Sequence, residues 1–264
     1  MSHPLLAELE APDPARRVGA CRACPDDPAA TLLVEPLLER LRDPAASVVL
    51  AAAESLARIG RRDPAVRGLL RDRLRGRDAA LRMGAALALA RLEPPSPRLI
   101  PPLAEGLSSP SPELRWEAAR TLVEVGRLHA EVGPLLLGLS RTAPAAPARA
   151  MAVHALRALA PDSGEVIDCL LAAAGDPEPE VRRAALAALS GLPAAADVVE
   201  PLLRALGGDP DPHCRALAAA ALGARPHGAA GSARPIEEAL ERACSDPHPA
   251  VARAASRALG RLQR

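Results

Sequence analysis

The chain has 264 residues, a formal net charge of +1, no Phe, no Tyr, no Lys, no Asn and a single tryptophan, Trp116. Near-neutrality excludes a global pull toward nucleic acid or an anionic membrane. The lack of aromatics argues against one rounded core and for a thin core of Ala and Leu between closely spaced helices.

In chain order, the N-terminal Met1-Ser-His-Pro-Leu-Leu-Ala-Glu has no basic stretch followed by an apolar run, so no secretory signal is expected. The first unit, Asp13-Pro-Ala-Arg-Arg-Val-Gly-Ala-Cys, opens a pattern that the rest of the chain repeats. Each unit begins with an amphipathic segment (A), such as Val34-Glu-Pro-Leu-Leu-Glu-Arg-Leu41 or Val199-Glu-Pro-Leu-Leu-Arg-Ala-Leu206. Apolar residues three and four apart predict a helix with one buried face. A turn follows, with Asp-Pro at Asp43, Asp176, Asp209 and Asp246. The acid is expected to cap the next helix, and Pro to fit its first turn.

The second segment (B) carries the recurring phrase. It reads Leu81-Arg-Met-Gly-Ala-Ala-Leu-Ala-Leu89, then Leu114-Arg-Trp-Glu-Ala-Ala-Arg-Thr-Leu122, then Val181-Arg-Arg-Ala-Ala-Leu-Ala-Ala-Leu189. The closing leucines Leu56, Leu89, Leu122, Leu156, Leu189, Leu222 and Leu259 are spaced 33, 33, 34, 33, 33 and 37 apart. A period of this length predicts stacked helical hairpins, hence an all-α, right-handed α-solenoid of about eight two-helix repeats. We expect one solenoid domain over 1–264, with repeats at roughly 1–30, 31–63, 64–96, 97–130, 131–163, 164–196, 197–230 and 231–264. Numbered from its opening apolar residue, helix B should bury positions 1, 5, 8, 9 and 12, as in Leu114, Ala118, Thr121, Leu122 and Val125.

Two stretches depart from the period. Arg141–Pro147 reads as a stiff turn, and Ala224–Pro235, rich in Gly and Pro, as the most mobile loop. The longest apolar run, Ala216–Ala224, is too short to cross a bilayer. The five scattered cysteines suit a reducing compartment, so a cytoplasmic location is expected. Cys21-Arg-Ala-Cys24 has no second ligand pair beside it, and its sulfurs read as small core residues. No metal and no cofactor is expected.

The Asp-Pro turn, the Val/Leu-Arg pair and the Ala-Ala-x-x-Leu ending resemble the HEAT-repeat family, especially its short bacterial form named after phycobilin lyases. The resemblance covers nearly the whole chain. It implies that the position-2 arginines Arg82, Arg115, Arg149, Arg182 and Arg215, with Arg17 in the first copy, form a structural ladder with turn acids such as Asp176 and Asp209. Val49 and Ala252 break that ladder, so repeats 2 and 8 must be tied differently. It also implies a concave side lined by B helices.

On that side positions 3, 7 and 10 should face outward. They place Leu50, Met83, Leu87, Trp116 and Val123 there, with Arg120, His154 and Arg183 beside them. Clustered exposed apolar residues mark interaction sites, and Trp and Arg are enriched at hot spots. The expected partner is an apolar helix or peptide of another protein, anchored by Trp116; self-association through the small positions Ala216, Ala220 and Gly223 is the other protein contact weighed. A second asymmetry lies between Arg58 and Arg91, a segment of charge +7 in a chain whose remainder sums to −6. Within it Arg67, Arg71 and Arg75 sit four apart, so like charges repel unless something compensates them.

No Ser-His-Asp grouping, H-E-x-x-H or Gly-rich phosphate motif is present. The leading expectation is a non-enzymatic scaffold or adaptor. The alternatives are a HEAT-type enzyme subunit, of phycobilin-lyase or alkylpurine-glycosylase kind, and local binding of nucleic acid or an acidic partner through Arg58–Arg91.

Overall fold

The computed structural model describes residues 3–25, 28–192, 198–224 and 233–262. Among these residues every regular element is helical: α1 (Pro4–Leu9), α2 (Pro14–Ala23), α3 (Val34–Arg40), α4 (Ala46–Arg62), α5 (Pro64–Arg73), α6 (Ala79–Leu92), α7 (Ile100–Gly106), α8 (Pro112–Gly126), α9 (Val132–Thr142), α10 (Ala146–Leu159), α11 (Gly164–Ala173), α12 (Pro179–Ser190), α13 (Val199–Gly208), α14 (Pro212–Leu222), α15 (Ala233–Ala243) and α16 (Pro249–Leu262). Short 3₁₀ turns at Pro28–Leu33 and Pro97–Leu99 lead into α3 and α7. Odd-numbered helices are A segments and even-numbered helices are B segments. The result is an all-α, α-solenoid fold of paired helices. The chain divides into two compact units, Met1–Val132 and Gly133–Arg264.

The B helices start where their prolines and caps direct. Pro14, Pro112, Pro179 and Pro212 sit at the first helical positions, where a missing N–H costs nothing. Asp13 and Asp211 cap α2 and α14, but the expected turn acids Asp43, Asp176 and Asp209 are not caps. Asp43, Asp176 and Asp209 each lie two residues before the cap residue, which is Ala45, Glu178 or Asp211. Each accepts instead from the backbone N–H two residues on, at 2.8–2.9 Å. The short aspartate side chain can close such a turn.

In the first unit the core is leucine-rich: Leu37, Leu38, Leu56, Leu70, Leu103 and Leu122 are all fully buried. In the second unit Leu156, Leu170, Leu189, Leu202 and Leu222 do the same work. The predicted stripe of helix B is buried throughout α8 (Leu114, Ala118, Thr121, Leu122, Val125) and at the matching positions of α12. Among the closing leucines Leu259 alone is only half-buried. Cys21, Cys24 and Cys214 are core residues, and burial pushes the Cys21 thiol up to about 11. All five cysteines are free.

A ladder of arginines ties successive turns. Arg182 donates through Nη1 to the carbonyl of Asp176, six residues back, at 3.0 Å. Its Nε and Nη2 form a fork on the carboxylate of Asp209, in the next turn, at 2.9 Å each. Arg149 engages Ala143 and Asp176 in the same way, and Arg215 engages Asp209 and Asp246. In the first unit Arg17 grips Asp43 at 2.8 Å through both nitrogens.

Two expected rungs differ. Arg82 keeps the carbonyl half, to Gly76 at 2.8 Å, but its other arm reaches Glu105. Arg115 donates to Ser109 at 2.8 Å, and its buried Nε has no hydrogen-bond partner among the described residues. The reason is in the register: the turns that follow carry Ser109 and Ala143 at the place held elsewhere by Asp43, Asp176, Asp209 and Asp246.

At the break left by Val49, α6 approaches the second repeat closely. A Cβ at Gly84 would fall 2.5 Å from the Leu41 carbonyl oxygen. Arg73 also bonds Glu35 at 2.9 Å across the same pair of repeats. The stretch Arg141–Pro147 is mostly helical, since α9 runs to Thr142 and α10 starts at Ala146. Most of the Ala224–Pro235 loop (225–232) lies outside the described residues.

Candidate protein-binding face

The outward strip expected on the B helices is only partly there. Trp116 on α8 is 52% exposed, beside exposed Arg120. Leu50 on α4 is half-buried. Met83, Leu87 and Val123 are buried, at 5%, 0% and 7% exposure, which corrects their outward placement. The one-face wheel fails for α6 because that helix packs against α4, α5, α7 and α8. Its residues Met83 to Leu89 are all buried, so its apolar surface runs all the way round. Met83 lies against α7: a Cβ at Gly106 would meet its sulfur at 2.7 Å.

The surroundings of Trp116 are ionic. Glu117 receives a fork from Arg120 at 2.8 and 3.0 Å and also pairs with Arg91. A further Arg120 nitrogen reaches Glu124 at 2.6 Å. Burial pushes the Glu117 carboxyl up, but the two arginines outweigh it and hold the group below its ordinary value. Arg120 is therefore held by its own helix. The tryptophan is presented on an internally neutralised patch.

In the second unit His154 on α10 is half-buried; burial lowers its pKa, opposed by the charge of Glu180. Arg183 on α12 is exposed and pairs with Asp211 at 3.1 Å.

The arginines at 67, 71 and 75 prove to be compensated. Arg67 donates to the Gly60 carbonyl at 2.8 Å, at the C-terminal end of α4. Arg71 pairs with Glu93 at 2.5 Å, and Arg75 with Asp72 at 3.4 Å. Carbonyls at a helix C-terminus attract cations, so Arg67 is well placed there. Sequence reading did not identify these partners, because Gly60 and Glu93 belong to other elements.

The same reading passed over a basic row on α16. Arg253, Arg257 and Arg261 are all exposed there at four-residue spacing. Among the described residues no group of three or more His, Cys, Asp or Glu side chains is arranged to hold a metal ion.

The family description of HEAT repeats matches residues 2–90, 69–157 and 167–234. The chain belongs to the HEAT-repeat family. A comparison with curated proteins finds no match. Among solved structures, the Escherichia coli protein YibA is 18% identical, with a TM-score of 0.56 over 98% of this chain and 91% of that one. Kap121p, seen bound to Ste12p, is 15% identical, with a TM-score of 0.66 over 98% of this HEAT-repeat chain but only 32% of its own. The CpcE–CpcF complex of phycocyanin lyase from Nostoc sp. is 17% identical over 99% of this chain and 95% of that one, at a TM-score of 0.37, a likeness too slight to carry chemistry across. At these identities the likeness is one of fold.

Proposed function

We propose that this HEAT-repeat protein is a non-enzymatic scaffold that binds another protein, with Trp116 of α8 as anchor and Leu50 and Arg120 as flanking positions on the B helices of the same compact unit. The carrying observation is the half-exposed indole. The chain's single tryptophan stands about half exposed on α8 and not in the core. Tryptophan is the side chain most enriched at binding hot spots. The Kap121p structure with Ste12p is a case of a protein of this fold holding a protein partner. The partner suited to Trp116 is an apolar helix or extended peptide with a pocket for the ring. A cytoplasmic location is part of this reading, since five scattered cysteines suit a reducing compartment. No described helix is long and apolar enough to cross a membrane.

The single indole is also the probe. Affinity capture with the intact chain and with Trp116→Ala, followed by titration of the captured partner against Trp116 fluorescence, tests the reading. The expected result is a blue-shifted emission with the intact chain and loss of capture with the variant, at an unchanged melting temperature. Equal capture by both chains would remove Trp116 from the interface. Binding through Arg58–Arg91 is the weaker reading, since Arg67, Arg71, Arg73, Arg75, Arg82 and Arg91 already have partners within the fold. An enzymatic role would rest on family kinship, and among the described residues no group of side chains is arranged to hold a metal ion for it.

A further inference from the structure

The row Arg253, Arg257 and Arg261 on α16 differs from the arginine row of α5. Spacing by four puts the three guanidinium groups on one helix face, about 6 Å apart along the axis. On α5 the same spacing occurs at Arg67, Arg71 and Arg75, and each of those has a carbonyl or carboxylate partner. On α16 none of the three is paired with any described residue. Like charges four apart on a helix repel, and no carboxylate among the described residues offsets the row, although Arg261 in the last turn of α16 gains from the helix end.

The neighbouring helices leave this face open. In the repeat register the row occupies positions 3, 7 and 11 of helix B. On α14, which packs against α16, positions 3 and 7 are Ala216, half-buried, and Ala220, exposed. On α12 they are Arg183 and Ala187, and Arg183 is spoken for by Asp211. Beside the arginines α14 is thus low and apolar, and the acids of α15, Glu237, Glu238 and Glu241, form no ion pair with the row among the described residues.

We infer that the arginine row of α16, flanked by the alanines of α14, is a docking surface for an acidic helical segment of a partner protein. A helix with Asp or Glu at four-residue intervals repeats the spacing of the row. The small alanines let a helix backbone approach without a clash. Carboxylates match the guanidinium fork, a pairing the molecule itself makes on Asp43, Asp176, Asp209 and Asp246. A nucleic-acid strand fits less well, because the chain has no Phe or Tyr on which bases would stack. The inference uses residues other than those of the Trp116 reading and does not depend on it.

The test uses the full chain and a fluorescein-labelled, alanine-based helical peptide of about 20 residues with Glu at every fourth position, and a control with Gln in those places. Fluorescence anisotropy should show the Glu peptide binding about tenfold tighter than the Gln peptide, with the difference shrinking as salt is added. The triple variant R253Q/R257Q/R261Q should lose the preference, and the single reversal R257E should weaken it, with helical content unchanged by circular dichroism. Trp116→Ala should keep it, so failure of the Trp116 reading leaves this result standing. Equal affinity for the two peptides would overturn the inference. So would a preference that survives in the triple variant, or duplex DNA displacing the labelled peptide more readily than unlabelled Glu peptide does.

Discussion

Trp116 and Leu122 sit six residues apart on α8 and do opposite work. Leu122 is fully buried, and truncating it to Ala removes packing on all sides; the expected cost is about 2–5 kcal/mol. Trp116→Ala removes a half-exposed ring and should leave the melting temperature close to that of the parent. Thermal melts of the two variants side by side check both expectations, and equal destabilisation would put the indole in the core. The aspartates of the ladder carry a second prediction. Burial raises the carboxyl groups of Asp176 and Asp209, but the arginine forks and backbone N–H groups outweigh it; at Asp246 the fork from Arg215 leads. All three lie below their ordinary value of 3.8. A folded-state pKa below the unfolded one means stability that is complete above the unfolded value and lost as pH falls through the folded one. Denaturant unfolding should therefore give a flat stability toward acid until about pH 4, then a decline. Asp209→Ala leaves the largely buried Arg182 without its carboxylate and should cost about 3 kcal/mol at neutral pH, and less at low pH.

At the scale of the helix, backbone proximity does what side-chain patterning cannot show. Gly84 lets α6 lie against the Leu41 carbonyl, and Gly223, at the C-terminal end of α14, lies against Ala258 of α16, where a Cβ would fall 2.4 Å from the alanine Cβ. Alanine normally favours a helix over glycine by about 1 kcal/mol. Here Gly84→Ala should destabilise by about 1–3 kcal/mol, because the opposing atoms are backbone and cannot swing away. Gly138 has nothing within 4 Å of its virtual Cβ, so Gly138→Ala should stabilise α9 by up to about 1 kcal/mol. Chemical denaturation of the two variants checks the contrast; like signs would mean the close approach of α6 is not real.

For the molecule as a whole, stability in a repeat array is close to a sum of units and their nearest-neighbour contacts. Leu122→Ala and Leu189→Ala fall in different compact units. Hydrogen exchange should rise in the mutated helix pair and those next to it, and stay near the parent rate elsewhere. Faster exchange along the whole chain in either variant would show a single cooperative block instead.

The repeat period, the helix pairs and the buried stripe of helix B were legible in the residues, because a helix on one neighbour obeys a 3.6-residue rule whatever lies beyond it. Trp116 as the exposed aromatic was legible for the same reason. The burial of Met83, Leu87 and Val123 was not, since it depends on how many helices surround α6 and α8. Nor was the pairing of each arginine: Arg82 and Arg215 share a register position, yet one meets Glu105 and the other Asp246. Sequence by itself determined which faces are apolar and how often they recur, through local periodicity. Tertiary structure alone decided which of those faces stay open and which charges are already matched, because both depend on atoms brought near from other repeats.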